Sequence, residues 1–183
     1  MPDIIEALYP LTYLTLTTNG LPLDSPSIID SLKFHKPYKI HISIHNSDNE
    51  TEVSRVLRQI TLLMDLGIKP GVNLLINANK VEQCKSVYGL LRKLLEKDQI
   101  ILIPQRFSNT PTPQQLASVT GGEPFQSPSC LLRCERPKQF VSISWDKKVN
   151  WCSYAGGKQP LESLNFQGLI DALQKVSFTS CQR

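Results

Sequence analysis

The chain has 183 residues, 40% hydrophobic and 20% charged, and its 20 lysines and arginines against 16 acids leave a formal charge of +4. That balance supports one globular core with a small second lobe and excludes a long disordered or collagen-like chain. No basic stripe with interleaved aromatics points to nucleic acid, no run approaches the roughly 18 apolar residues of a membrane span, and the acids near Met1 argue against a signal peptide, so a cytoplasmic protein with no nucleic-acid or membrane partner is expected.

The first hundred residues repeat one pattern. Tyr13–Leu16, Lys39–Ile44, Val72–Ile76 and Ile100–Ile103 are short aliphatic or β-branched runs, and helical periodicity follows each of the first three. Ser25-Pro26 reads as an N-cap and first helical position before Ile28, Ile29 and Leu32. Ser47 with Glu50 reads as a capping box before the face Val53, Val56, Leu57, Ile60, Leu63 and Met64, which Gly67 closes. Asn79 is placed to cap a third helix with Cys84, Val87, Tyr88, Leu91, Leu94 and Leu95 on its apolar side. Strand–helix–strand repetition at this spacing makes parallel sheet. The fold class is α/β.

Prolines 111, 113, 124 and 128 among Ser, Thr, Gln and Gly mark 108–129 as a linker or long loop between a βα region (1–107) and a tail (130–183). In the tail, Gln139–Ser144 and Val149–Trp151 flank an Asp146-Lys147-Lys148 turn and predict a hairpin. A last helix is expected through Leu169, Leu173 and Val176.

The strand ends carry the functional signal. They read Thr17-Thr18-Asn19-Gly20, Ser43-Ile44-His45-Asn46, Asn77-Ala78-Asn79 and Gln105-Arg106. Parallel α/β folds bind ligands at the carboxyl ends of their strands, although Asn and Ser serve caps and turns equally well. His45 stands at such an end. His41, alternating with Ile40 and Ile42, is expected to lie between strand and helix layer in a structural role. Folding the hairpin would bring Cys134 near Cys152, with Cys130 close by and Cys181 a distant fourth. Clustered thiolates select zinc or iron–sulfur, while reduced buried thiols are the plain alternative. Cys84 reads as core.

At Leu14-Thr15-Leu16-Thr17-Thr18-Asn19-Gly20, followed by Ile42-Ser43-Ile44-His45, the chain resembles the middle of a radical S-adenosylmethionine (radical SAM) enzyme. These would be the third and fourth strands of a partial (βα)6 barrel, with Val72–Asn77 and Ile100–Gln105 as the fifth and sixth. Cys134-Glu-Arg-Pro137, Val141-Ser-Ile143-Ser-Trp145-Asp146, Val149 and Cys152 are similar to the SPASM or twitch extension that holds auxiliary iron–sulfur clusters.

The resemblance implies that Ser43, with His45, meets the ribose or carboxylate of S-adenosylmethionine. Asn77 would meet the nucleoside, Ile103–Gln105 the adenine, and Asn19 would lie on the cavity floor. Cys130, Cys134 and Cys152 would ligate a [4Fe-4S] cluster or, alternatively, zinc. The family's CxxxCxxC loop is missing, and Lys147 stands where the tail motif has Gly. The resemblance therefore implies a truncated or degenerate relative, inactive alone, of enzymes that cleave S-adenosylmethionine reductively and modify peptides or small molecules. A non-enzymatic metal-binding module is the alternative. An open edge at Tyr13–Leu16 would then await a missing N-terminal half or another chain.

Overall fold

A computed structural model describes residues 2–9, 11, 13–106, 108–127, 141–144, 146–152 and 156–177. The chain divides into two compact units, 1–128 and 129–183. In the first, α1 (Pro2–Leu8) precedes β1 (Thr15–Thr18), α2 (Pro26–Phe34), β2 (Lys39–Ile44), α3 (Glu50–Asp65), β3 (Lys69–Ile76), α4 (Val81–Leu91), β4 (Ile100–Pro104) and α5 (Pro113–Val119). The four strands form one parallel sheet in the order β1-β2-β3-β4. Sequential order with right-handed crossovers places the helices on one side and leaves the other side bare. This is the α/β architecture expected from the sequence, a parallel four-stranded βα partial barrel.

Burial follows that division along β2, β3 and β4. Ile40, Ile42, Ile44, Val72, Leu74, Ile76, Ile100 and Leu102 are buried, and the helices contribute Leu32, Val56, Ile60, Leu63 and Leu91 to the same layer. Fully burying one such side chain is worth roughly 1.5–3 kcal/mol, so this layer dominates the stability of the unit. Lys39, His41, Ser43, Asn73 and Ile101 occupy the alternate positions and face away from the helices.

The sequence-based caps shift by a few residues. Asn49, not Ser47, caps α3, its Oδ1 accepting from Glu52 N at 3.1 Å. Ser47 is drawn inside, its Oγ 3.4 Å from Cys84 Sγ. Asn77, not Asn79, supplies the cap after β3, accepting from Asn79 N at 2.8 Å across a 3₁₀ turn at 78–80. Ser25 and Pro26 do open α2, although Ser25 makes no capping hydrogen bond.

Residues 108–127, expected to be loop, carry α5 beside α4. A capping box holds its start. Thr112 accepts from Gln115 N, and the Gln115 side chain accepts from Thr112 N. Beyond α5 the chain crosses the outer side of β4, where Leu102 N donates to Gln126 O at 2.9 Å. The outer side of β1 has no strand partner among the described residues.

In the second unit β5 (Ser142–Ile143), β6 (Lys148–Asn150) and β7 (Gln159–Pro160) form a small antiparallel sheet, followed by α6 (Phe166–Gln174). The expected hairpin is β5–β6, with a third strand added. Its turn places Lys147 at φ 56°, the left-handed region that favours glycine. Val149, Ala172 and Leu173 form the core, edged by Trp151, Leu161, Leu169 and Val176.

Candidate functional site

Side chains tie the β2, β3 and β4 strand-end loops to one another and the β1 loop to α3. At the end of β1, Asn19 Oδ1 accepts from Leu21 N at 3.1 Å, and its carbonyl accepts from Arg55 Nη2 at 3.2 Å. Arg55 Nε is buried without a partner, so a guanidinium donor at this edge is unspent. Gly20 takes φ 85°, and a Cβ there would meet Gln59 Oε1 at 2.3 Å. Only glycine fits. The motif's last residue is thus fixed by the close approach of α3, whose Gln59 donates to Gly20 O at 2.8 Å.

At the end of β2, Ser43 lies on the bare face, half-buried. His45 follows, with its side chain about half exposed, and its N–H donates to Glu52 Oε1 at 2.7 Å. Asn46 Nδ2 donates to Glu52 Oε2 at 3.1 Å. Glu52 is itself buried in the first turn of α3, where the free N–H groups of the helix favour a carboxylate. It shapes the β2–α3 loop, and the Asn49-x-x-Glu52 spacing was the available sequence signal for it.

At the ends of β3 and β4, Asn77 Nδ2 donates to Gln105 Oε1 at 2.9 Å, and Gln105 Nε2 donates to Ser108 O at 3.2 Å. Asn79 Nδ2 donates to Asn109 Oδ1 at 3.0 Å. Lys80 reaches back to Asp48 at 2.7 Å, linking the β3 and β2 loops, and its hydrogen bond holds the Asp48 carboxyl below its usual range. Ile103 lies on the bare face of β4, one residue from Pro104. Of the six cofactor-binding candidates, Asn77 and Gln105 are therefore in direct contact. Asn19, Ser43, His45 and Ile103 sit at their own strand ends without touching one another through any hydrogen bond among the described residues.

His41 departs from expectation. It faces the bare side of the sheet, not the helix layer, because Ile40, Ile42 and Ile44 take the helix side. Its Nδ1 lies 3.0 Å from Asn73 Oδ1, and burial lowers its pKa from the ordinary 6.5. Lys39, His41 and Asn73 line an open groove with Thr15, Thr17 and Ile101, a cluster that strand-end reasoning missed. The signal was present as polar residues at alternate positions of an otherwise aliphatic β2.

Cys84 is core as expected, 1% exposed, and its thiol lies 3.7 Å from Leu75 O. Cys152 is a half-buried free thiol. Cys130, Cys134 and Cys181 lie outside the described residues. Among the described residues no three His, Cys, Asp or Glu side chains come together in a group able to hold a metal ion.

The comparisons with known proteins bear on the fold. No protein-family model and no curated sequence matches the chain. Among solved structures it is similar to native anSMEcpe with bound AdoMet and Kp18Cys peptide. The TM-score is 0.55 at 13% identity, covering 89% of this chain and 58% of that one. The likeness is one of fold. A hexahistidine-tagged form of anSMEcpe with bound AdoMet is similar at TM-score 0.51 and 14% identity, covering 88% of this chain and 56% of that one. The chain thus spans less than two thirds of the length of these neighbours.

At the strand ends, the Ser43 hydroxyl has no hydrogen-bond partner among the described residues, and Arg55 Nε is an orphaned donor. Of the described thiols, Cys84 is enclosed by Ser47 and Leu75, while Cys152 is half-buried and free.

Proposed function

We propose that this chain is a radical SAM-like protein whose parallel strand ends bind the nucleoside and carboxylate of S-adenosylmethionine. The supporting observation is the hydrogen-bonded rim formed by the β2, β3 and β4 loops, on a fold shared with structures that hold AdoMet. Ser43 would take the ribose or carboxylate, with His45 beside it. Asn77 and Gln105, already paired, would present one edge to the nucleoside, with Ile103 below the adenine and Asn19 on the floor. Bound S-adenosylmethionine would supply an alkyl sulfonium to whatever reaction the assembled protein carries out. By likeness to a neighbour solved with a peptide, the substrate class is peptide.

Calorimetric titration with S-adenosylmethionine tests this directly. Saturable binding that weakens about tenfold in Ser43→Ala supports the reading, one strong hydrogen bond being worth about 1.4 kcal/mol. Unchanged affinity in that variant removes the Ser43 assignment.

The outer edge of β1 extends the proposal. Its N–H and C=O groups await a strand, beside Tyr13, which is 87% exposed. Another polypeptide pairing there gives concentration-dependent association in light scattering, and a clean monomer at high concentration contradicts it.

A second reading concerns the tail, as a zinc- or iron–sulfur-binding module through Cys130, Cys134 and Cys152. What favours it is the small core around Val149 and Leu173, since a lobe this small gains most from a metal. Near-stoichiometric zinc or iron in anaerobically purified protein supports that reading, and none removes it.

A further inference from the structure

The open edge of β1 has a geometry that says what fits it. Tyr38 N donates to Leu14 O at 2.8 Å, so the Leu14 carbonyl points toward β2. In a parallel ladder the amide and carbonyl of one residue point to the same side, and successive residues alternate. Leu14, Leu16 and Thr18 therefore spend their backbone groups on β2, while those of Tyr13, Thr15 and Thr17 point outward.

Charge narrows the occupant. The stretch from Leu11 to Leu23 holds no charged residue. Edge strands are ordinarily guarded by a lysine, a proline or a bulge, and β1 has none of the three. A partner selected by charge would find nothing to pair with there. A second copy, itself at +4, meets this edge without setting cation against cation.

The outward groups also match themselves. With a two-fold axis at Thr15, antiparallel pairing sets Thr15 against its own counterpart and Tyr13 against the counterpart of Thr17. Every outward residue then meets another outward residue, and each such pair exchanges both backbone hydrogen bonds. Opposed threonines and an aromatic beside a β-branched residue are favourable neighbours across strands. The flank is apolar. Leu11 is 77% and Tyr13 87% exposed, and Tyr13 stands edge-on to Tyr38 with ring centroids 5.9 Å apart.

The far edge of the sheet decides the symmetry. The segment at Gln126 lies along β4 and accepts from Leu102 N, so β1 of one copy cannot add to β4 of the next. Growth from head to tail is blocked, and pairing of β1 with β1 closes at two copies.

We propose that two copies of this chain pair antiparallel through β1, about Thr15, into one continuous sheet. The inference rests on the open edge described above and names what covers it. A short strand and a few exposed side chains make a contact below about 1,200 Å² in total, so the dimer is weak.

Sedimentation velocity of the full chain over a wide concentration range should show monomer giving way to dimer and nothing larger. Thr15→Pro removes an outward N–H and no bond to β2, which is where an edge strand tolerates proline. It should weaken the dimer about tenfold, since both hydrogen bonds of the central pair are lost. Thr15→Lys and Thr15→Glu should each weaken it too, because like charges then stand directly opposite, and mixing the two variants should restore it. A fluorescent peptide with the sequence of residues 11–18 separates the two levels of the claim. A monomeric chain that binds the peptide overturns the second copy and keeps the open edge, and a monomeric chain that ignores it overturns both. Assemblies larger than a dimer, or a dimer indifferent to Thr15→Pro and to the mixed charges, overturn the β1 pairing. Should Thr15→Pro not fold by circular dichroism, the mixture of Thr15→Lys with Thr15→Glu still decides it.

Discussion

The two faces of the four-stranded sheet are built from the same strands and are opposites. On β2, Ile40, Ile42 and Ile44 lie against the helices at 0–1% exposure, while Lys39, His41 and Ser43 between them point to the opposite face. A slip of one residue would exchange the two sets, so the alternation fixes which face is core. One face supplies the stability of the unit, and the other is left free to carry chemistry. In a closed parallel barrel that second face is filled by packed side chains. Here it carries a lysine, a histidine and an asparagine, polar groups that do not pack as an apolar core does.

That contrast can be broken by substitution. Leu74→Ala, on the helix face, should cost about 2–5 kcal/mol in urea denaturation, because a fully buried leucine leaves a cavity among rigid neighbours. Gly71→Ala should cost less, about 1–3 kcal/mol, by forcing the His41 ring out of place. The loss should be accompanied by altered His41 imidazole resonances. If the resonances stay put, the ring does not need the glycine.

His41 also predicts a pH dependence. Its folded-state pKa is lowered by burial, so the unfolded chain takes up the proton first as pH falls below about 6.5. Stability should therefore be fully present above that pH and decline as pH drops from there through the folded pKa. His41→Gln should flatten this part of the profile, and an unchanged slope would contradict the buried placement. The smallest effect belongs to Thr15→Ala on the open face, expected within about 0.5 kcal/mol. Equal costs for Leu74→Ala and Thr15→Ala would abolish the distinction between the faces.

Much of the first unit was legible because its strands are aliphatic and its helices amphipathic, two periods that do not overlap. Helix starts were less legible. Ser47 looked like a cap but is pulled into the core beside Cys84, and Asn49 takes the position. α5 was hidden by its composition, although Thr112-Pro-x-Gln115 spells a capping box with proline at the first helical position. The face occupied by His41 follows from alternation only once the side that the helices cover is known. The rim contacts, Asn77 to Gln105 and Lys80 to Asp48, join residues 28 and 32 apart and have no local signal. Ser43, His45, Asn77 and Gln105 could be named from strand ends because the parallel fold converges those ends by geometry.

Amide chemical-shift mapping of the full chain with S-adenosylmethionine tests the central claim most directly. Shifts confined to 17–20, 43–46, 77–80 and 103–106, with the outer helix positions such as Arg58 and Lys93 unmoved, are the predicted result. Shifts spread over the helix surfaces, or none at saturating ligand, would contradict a nucleoside site at the strand ends.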